Sequence, residues 1–321
     1  NMNNLKKIGL TALAGSLVAT SVAVAGELSA SGSASMKVTN NSQSSAGKTV
    51  GMANSVILAG SGELDNGMTV SMSFELDSGV DTGTGTGPFD NHSVSLASDT
   101  MGTLTVHGHG GSNAASALDT TAAGDLWDNT LGMTTGASGT APKGAASGDN
   151  LVVYTLPALA DGVSLSASYS SAGAGEASTA IGATFTGIEG LSVSVGKGDN
   201  NATVGTDIEQ TVMKASYAFG PVTVAYSNND YDHTTAANDQ ETTSYNLSYT
   251  VSDSISISYG MTDIDNSGDT AEVEVTGISA SYTSGGMTIS GMQVAADNVD
   301  GSSTGTDNDN EYWKLAASFA F

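Results

Sequence analysis

The 321-residue chain has no cysteine, and 33 Asp and Glu stand against 8 basic residues, all lysine, for a net charge of −25. A surface this acidic repels phosphates and excludes duplex nucleic-acid binding, and without cysteine neither a disulfide scaffold nor a Cys-based zinc site is available. With 39% apolar residues the chain is too apolar for simple disorder, and its 41 glycines beside few good helix formers speak against a helical domain.

Lys6 and Lys7 precede an uncharged run from Ile8 to Ala25 that closes on Ala23-Val24-Ala25. A basic start, an apolar middle and small residues at an A-x-A cut read as a secretory signal peptide over 1–25, with 26–321 as the exported body. A retained anchor is the alternative, since the run is long enough to span a bilayer; its Ala, Gly, Thr and Ser content favours cleavage. Beyond it no apolar run reaches the length of a membrane helix, so the body is secreted or enters a membrane as strands.

From Gly26 onward, apolar residues recur at every second position, the signature of strands. Val70, Met72, Phe74 and Leu76 alternate with Thr69, Ser71, Ser73 and Glu75; Ile255, Ile257 and Tyr259 alternate with Ser254, Ser256 and Ser258. The segments fall near 27–38, 54–64, 68–76, 91–98, 103–109, 150–156, 163–170, 178–185, 191–196, 208–219, 222–228, 241–251, 255–261, 271–283, 287–295 and 311–321. Tight turns such as Asp65-Asn66-Gly67 and Gly220-Pro221 alternate with long acidic, Gly/Thr-rich connections. That rhythm predicts an all-β, antiparallel up-and-down transmembrane barrel of about sixteen strands. A soluble sandwich would bury the small polar residues behind each apolar stripe without partners, and a β-helix adhesin would show a fixed short repeat, which is missing. In a barrel the apolar face meets lipid, the polar face meets water, and every backbone group is paired.

Two stretches stand out along this pattern. His107 and His109 share one face of a strand and read as polar lining, with no third metal ligand in view. Asp263, Asp265, Ser267 and Glu274 follow a calcium-loop spacing, so Ca2+ is a candidate ligand of this acidic connection, although an EF-hand needs flanking helices and strands lie on both sides here. No catalytic motif is present, and an enzyme is not expected. The final segment, Glu311–Phe321, carries Trp313, Leu315, Ala317, Phe319 and Phe321 on one face, placing Phe321 in an interfacial aromatic girdle.

The export segment, the body of about sixteen strands, the Leu64–Met68 turn followed by Val70–Leu76, the long third connection after Gly102-Thr103-Leu104-Thr105-Val106 and the terminal Phe321 together resemble the general porins of Gram-negative outer membranes, most closely the alphaproteobacterial type. The resemblance implies a homotrimer of water-filled channels in the outer membrane, a third loop folded inward, and the terminal aromatic as an assembly signal. The partners it implies are the lipid bilayer, lipopolysaccharide and small hydrophilic solutes. On that analogy Leu126 and Trp127 anchor the third loop, and Asp119, Asp125 and Asp128 line the constriction. Lys37, Lys214 and Lys314 fall on the lumen phase and stand as a reduced basic wall; the arginine cluster usual in the family is missing. Outward positions Ala30, Gly32, Ala34, Gly60 and Gly62 are small and suit a trimer interface. The expected function is passive diffusion of small hydrophilic solutes and ions, with cation selectivity set by the acid excess. A substrate-specific channel and a surface adhesion protein are the alternatives.

Overall fold

The computed structural model describes residues 27–42, 47–77, 89–115, 118, 121–123, 126, 131–133, 138–144, 149–171, 177–201, 205–304 and 308–321. The export segment 1–25, Asp119, Asp125, Trp127 and Asp128 lie outside the described residues. Within them run sixteen strands: β1 (Glu27–Asn41), β2 (Thr49–Glu63), β3 (Thr69–Asp77), β4 (His92–Ser98), β5 (Gly102–His109), β6 (Leu151–Thr155), β7 (Val163–Ser170), β8 (Ser178–Ile188), β9 (Leu191–Asp199), β10 (Ile208–Phe219), β11 (Val222–His233), β12 (Gln240–Ser252), β13 (Ile255–Asn266), β14 (Val273–Ser284), β15 (Met287–Asp297) and β16 (Asn310–Ala320). Each pairs antiparallel with its sequence neighbours, and β1 pairs with β16, Ser33 opposite Ala320 and Asn41 opposite Tyr312. The closed ring leaves no strand edge, which lipid requires.

Period-two sequence becomes a two-faced wall. Met72, Val94, Ile181, Met213, Leu247, Ile278 and Leu315 are exposed on the outside, where lipid rather than water is their solvent. The inner face carries hydroxyls that bond across strands, Ser256 with Ser281 at 2.8 Å, Ser258 with Ser279 at 2.7 Å and Thr184 with Ser194 at 2.9 Å. Near the tight-turn end Tyr217, Phe219, Tyr249, Tyr282 and Phe321 are exposed and form the expected girdle. Turn residues Gly190, Gly220 and Gly285 adopt φ of 77°, 56° and 59°, a region L side chains disfavour.

All sixteen predicted segments are strands, but several are longer than the hydropathy pattern indicates. β2 starts at Thr49 rather than near 54, β11 runs to His233 rather than 228, and β13 runs to Asn266 rather than 261. Beyond the lipid belt the outward positions no longer have to be apolar, so the alternation signal ends while backbone pairing continues. As a result Asp263 and Asp265 sit on a strand, and the connection from β13 to β14 is confined to 267–272.

Candidate functional site

The interior is shaped by the 110–150 connection between β5 and β6, whose described parts lie against the inner wall from β7 to β16. Its first limb is docked by shape. The backbone N–H of Ala114 donates to Ser168 Oγ at 2.9 Å. Ala114, Ala115 and Leu118 rest on glycines of β8 and β9: a Cβ at Gly196 would stand 2.8 Å from Leu118 Cδ1, and one at Gly198 would stand 3.3 Å from Ala115 Cβ. The middle of the loop repeats the device further round the ring. A Cβ at Gly260 would meet Ala123 Cβ at 2.8 Å and Leu126 Cδ1 at 2.9 Å, and one at Gly277 would meet Leu126 Cδ2 at 2.7 Å. Ala123 N–H donates to Ser244 Oγ at 2.8 Å. Leu126 therefore anchors the loop as anticipated. These glycines lie in strand interiors, where they weaken pairing; their use is to let a second backbone approach.

Around Leu126 a dry core has formed inside the barrel. Leu131, Met133 and Ala141 of the loop pack with Ile264, Val273, Val275, Val294, Ala296, Val299 and Tyr312. Burying such side chains contributes roughly 1.5–3 kcal/mol each for the larger ones, enough to hold an otherwise irregular segment in place. The last limb is held by polar contacts: Thr140 Oγ1 donates to Val299 O at 2.7 Å, Gln240 Nε2 to Ala141 O at 3.1 Å, and Lys143 N to Gln240 Oε1 at 2.7 Å.

The opposite wall is open. No described residue of β1–β5 is buried, and its inner face is rich in serine, with Ser33 opposite Ser55, Ser71 opposite Ser95 and Ser73 opposite Ser93, beside Ile57, Ala59 and Glu75. A hollow of about 330 Å³ lies among Ser29, Ser61, Ser71, Ser73, Ser93 and Ser95. The water-filled passage lies between this hydroxyl wall and the docked loop.

Lys37, Lys214 and Lys314 all project inward. Lys37 pairs with Ala316 and Thr39 with Lys314, which puts Lys37 and Lys314 diagonally beside each other at the β1/β16 seam. Lys214 is on the other side and donates to Thr121 O at 3.2 Å, so it ties down the loop. His107 stays on the inner face, and His109 Nδ1 stands 2.6 Å from Asp149 Oδ1 at the loop's end.

Outside the wall, at the long-loop end, acids face acids across neighbouring strands. Glu209 pairs with Asp199 and Asp232, Glu241 with Asp230 and Asp265, and Glu274 with Asp263 and Asp297. Like charges in register cost about 0.2–1 kcal/mol each. Lys197 supplies one counter-charge, 3.0 Å from Glu209. In the following connection Glu272 has its pKa raised, first by partial burial and then by Asp263, Asp265, Glu274 and Glu241. Of the calcium candidates, Asp263 and Glu274 are register partners, Asp265 shares the face of Asp263, and Ser267 N–H donates to Asp239 O at 3.0 Å. Among the described residues no three His, Asp or Glu side chains are grouped to hold a metal ion.

Sequence reasoning missed Lys143 and the glycine floor. A single lysine in a Gly/Ala/Thr loop carries no period. Gly196 and Gly198, two apart on one strand face, were the available signal that something must lie close against β9.

A sequence model described as Gram-negative porin matches residues 9–302. No curated protein matches the chain. Solved structures share the fold. The trimer form of OmpT, an outer membrane protein of Vibrio cholerae, is 14% identical with a TM-score of 0.70, covering 93% of this chain and 100% of that one. A porin refined at 1.8 Å is 22% identical with a TM-score of 0.65, covering 92% and 100%. A mutant of the Rh. blastica porin is 16% identical with a TM-score of 0.64, again covering 92% and 100%.

Proposed function

The chain belongs to the Gram-negative porin family and forms an outer-membrane channel, and we propose that this channel is cation-selective and passes small hydrophilic solutes and ions by passive diffusion without catalysing a reaction. The observation that carries the selectivity is the charge distribution. The chain has 33 acids against 8 lysines, and acids stand in register around the long-loop mouth on β9–β15. Negative charge at a mouth raises the local cation concentration. Inside, Lys37 and Lys314 stand on the open side to oppose it, and that same wall carries an inward acid, Glu75, which accepts hydrogen bonds from Ser55 Oγ and Asn91 Nδ2. The effect reaches about 10 Å at 0.1 M salt and shrinks as salt rises.

Further parts of the reading concern assembly and surroundings. Residues 1–25 are removed on export through the periplasm, and 26–321 form the mature barrel. Three copies associate, with lipopolysaccharide and lipid around them; the small outward residues of β1 and β2 support this, and a trimer form is named for the Vibrio cholerae protein. Calcium at Asp263, Asp265, Ser267 and Glu274 would relieve the acid pairing there. The deciding measurement is the zero-current potential of reconstituted channels across a potassium chloride gradient at low ionic strength. A cation-selective potential that falls with salt is expected; an anion-selective one would overturn the reading.

A further inference from the structure

We propose that Lys143 is the positioning residue of this channel: it fixes the last limb of the inward loop against β11–β13 and so sets the free cross-section beside β1–β5. The inference rests on the channel assignment and deepens it by naming what holds the constriction.

Lys143 is 8% exposed, and each of its polar groups has a partner. Its N–H donates to Gln240 Oε1 at 2.7 Å, and its carbonyl accepts from Asn229 Nδ2 at 2.9 Å. Its ammonium donates to Asn238 O at 3.0 Å and Asn266 Oδ1 at 3.1 Å, and stands 5.9 Å from the centre of the Tyr231 ring. The partners come from three consecutive strands and the connection between two of them.

These partners are themselves joined. Gln240 Nε2 donates to Asn266 Oδ1 at 2.8 Å, Gln210 Nε2 to Asn229 Oδ1 at 2.7 Å, and Asn266 Nδ2 to Asp269 Oδ2 at 2.7 Å. Gln210, Asn229, Gln240 and Asn266 are 0%, 0%, 2% and 5% exposed. A buried polar network is stable only when every member is satisfied. A buried ammonium likewise needs acceptors around it. Burial lowers the Lys143 pKa, and Asp269 and Asp239 work against that shift.

The division of labour along the loop sharpens the role. The first limb and the middle are seated by close fit on glycines and by the dry core. The last limb adds hydrogen bonds to the core contact of Ala141, and Lys143 is the one lysine between His109 and Leu151. Removing the ammonium takes the Lys143 donor from Asn238 O, leaves Asn266 Oδ1 with Gln240 Nε2 alone, and leaves Asp269 and Asp239 without their cation. The limb then lifts into the water-filled passage.

The test uses the full chain, which contains no cysteine of its own. Thr242 is fully buried and lies on β12 opposite Ile264 and Asn229, and its hydroxyl donates to Gln240 Oε1, the oxygen that also accepts from the Lys143 N–H. In Thr242→Cys the thiol should resist a water-soluble, membrane-impermeant thiol reagent. Adding Lys143→Met should raise its modification rate roughly tenfold or more, the loss expected for charge-assisted hydrogen bonds. The open-channel current should also become noisier and close at lower voltage. Lys143→Arg should restore protection and a quiet current. Barrel closure, read by heat-modifiable migration, should persist in all of them. Equal protection of the thiol in Lys143→Met, or equal noise with a closed barrel, overturns the proposal. Should Lys143→Met fail to assemble, Asn266→Ala removes one of the ammonium's two acceptors, together with the bonds to Gln240 and Asp269, and should give an intermediate rate; wild-type protection there overturns it too. Absence of any channel current in the wild type would instead strike the channel assignment.

Discussion

Phe321 exchanges two backbone hydrogen bonds with Gly32, at 2.7 and 2.9 Å, and its ring lies where a side chain on Gly32 would be: a Cβ there would stand 2.5 Å from Phe321 Cε2. The two residues extend the β1/β16 seam that closes the barrel. Gly32→Val should push the ring aside and destabilise the seam by about 1–3 kcal/mol, the usual cost of overpacking. The temperature at which the folded barrel converts to the slow-migrating unfolded form should fall. An unchanged conversion temperature would show that the ring contributes nothing to closure.

The outward faces of β1 and β2 are low because Ala30, Gly32, Ala34 and Gly60 are small, with Leu28 opposite Gly60 and Ala30 opposite Leu58. Small side chains let two walls approach closely. Ala30→Trp and Ala34→Trp should therefore weaken the trimer on native electrophoresis and leave the single barrel intact. Trimers of normal stability in both variants would move the interface elsewhere on the wall.

Gly260 is the floor under Ala123 and Leu126. Gly260→Val should drive the middle of the loop toward the serine wall and lower single-channel conductance. Gly291→Val is the matched control, since a Cβ at Gly291 meets nothing within 4 Å. Equal conductance in the two variants would mean that the loop's position is not set by this contact.

The acid pairs at the long-loop end make stability depend on pH. Glu272 has a raised pKa in the folded state, so it binds a proton more readily folded than unfolded. Its ionised form therefore destabilises the fold above the folded pKa, and stability is regained as pH falls through that value toward the unfolded one. Glu272→Gln should raise the melting temperature at pH 7 and have no effect at a pH below the unfolded value. Millimolar calcium should also raise the wild-type melting temperature by relieving the same repulsion. Asp263→Asn with Asp265→Asn should abolish that gain, and a wild type indifferent to calcium would remove the ion from the account.

Selectivity provides the last prediction. Replacing Asp119, Asp125 and Asp128 together by Asn should reduce the zero-current potential in dilute potassium chloride beyond what added salt alone achieves. An unchanged potential would leave selectivity to the rim acids.

The barrel was legible in the sequence because lipid outside and water inside impose a period-two contrast at every strand. Strand ends were less legible where that contrast stops: Asn54 interrupts the outward apolar run of β2, where the expected segment begins, and Asp263 lies past the expected end of β13, yet both strands continue through them. Leu126 could be singled out as an apolar residue in an otherwise polar stretch. Lys143 could not, because its role depends on Asn229, Gln240 and Asn266, which only the closed ring brings to one place. Gly260 and Gly277 are informative only once the loop above them is known.

The docking of the loop also dictates an order of events during assembly. Ala123 bonds a residue 121 positions later, Lys143 one 123 later, and Thr140 one 159 later. Contacts that span so much chain form late, and the loop's seat on β12–β15 does not exist until the second half of the barrel does. The seam that closes the ring, Ser33 opposite Ala320, spans more chain still and forms after them. The loop is therefore seated on the second half of the sheet before the barrel is sealed, and a newly inserted barrel should conduct at its mature level from its first opening.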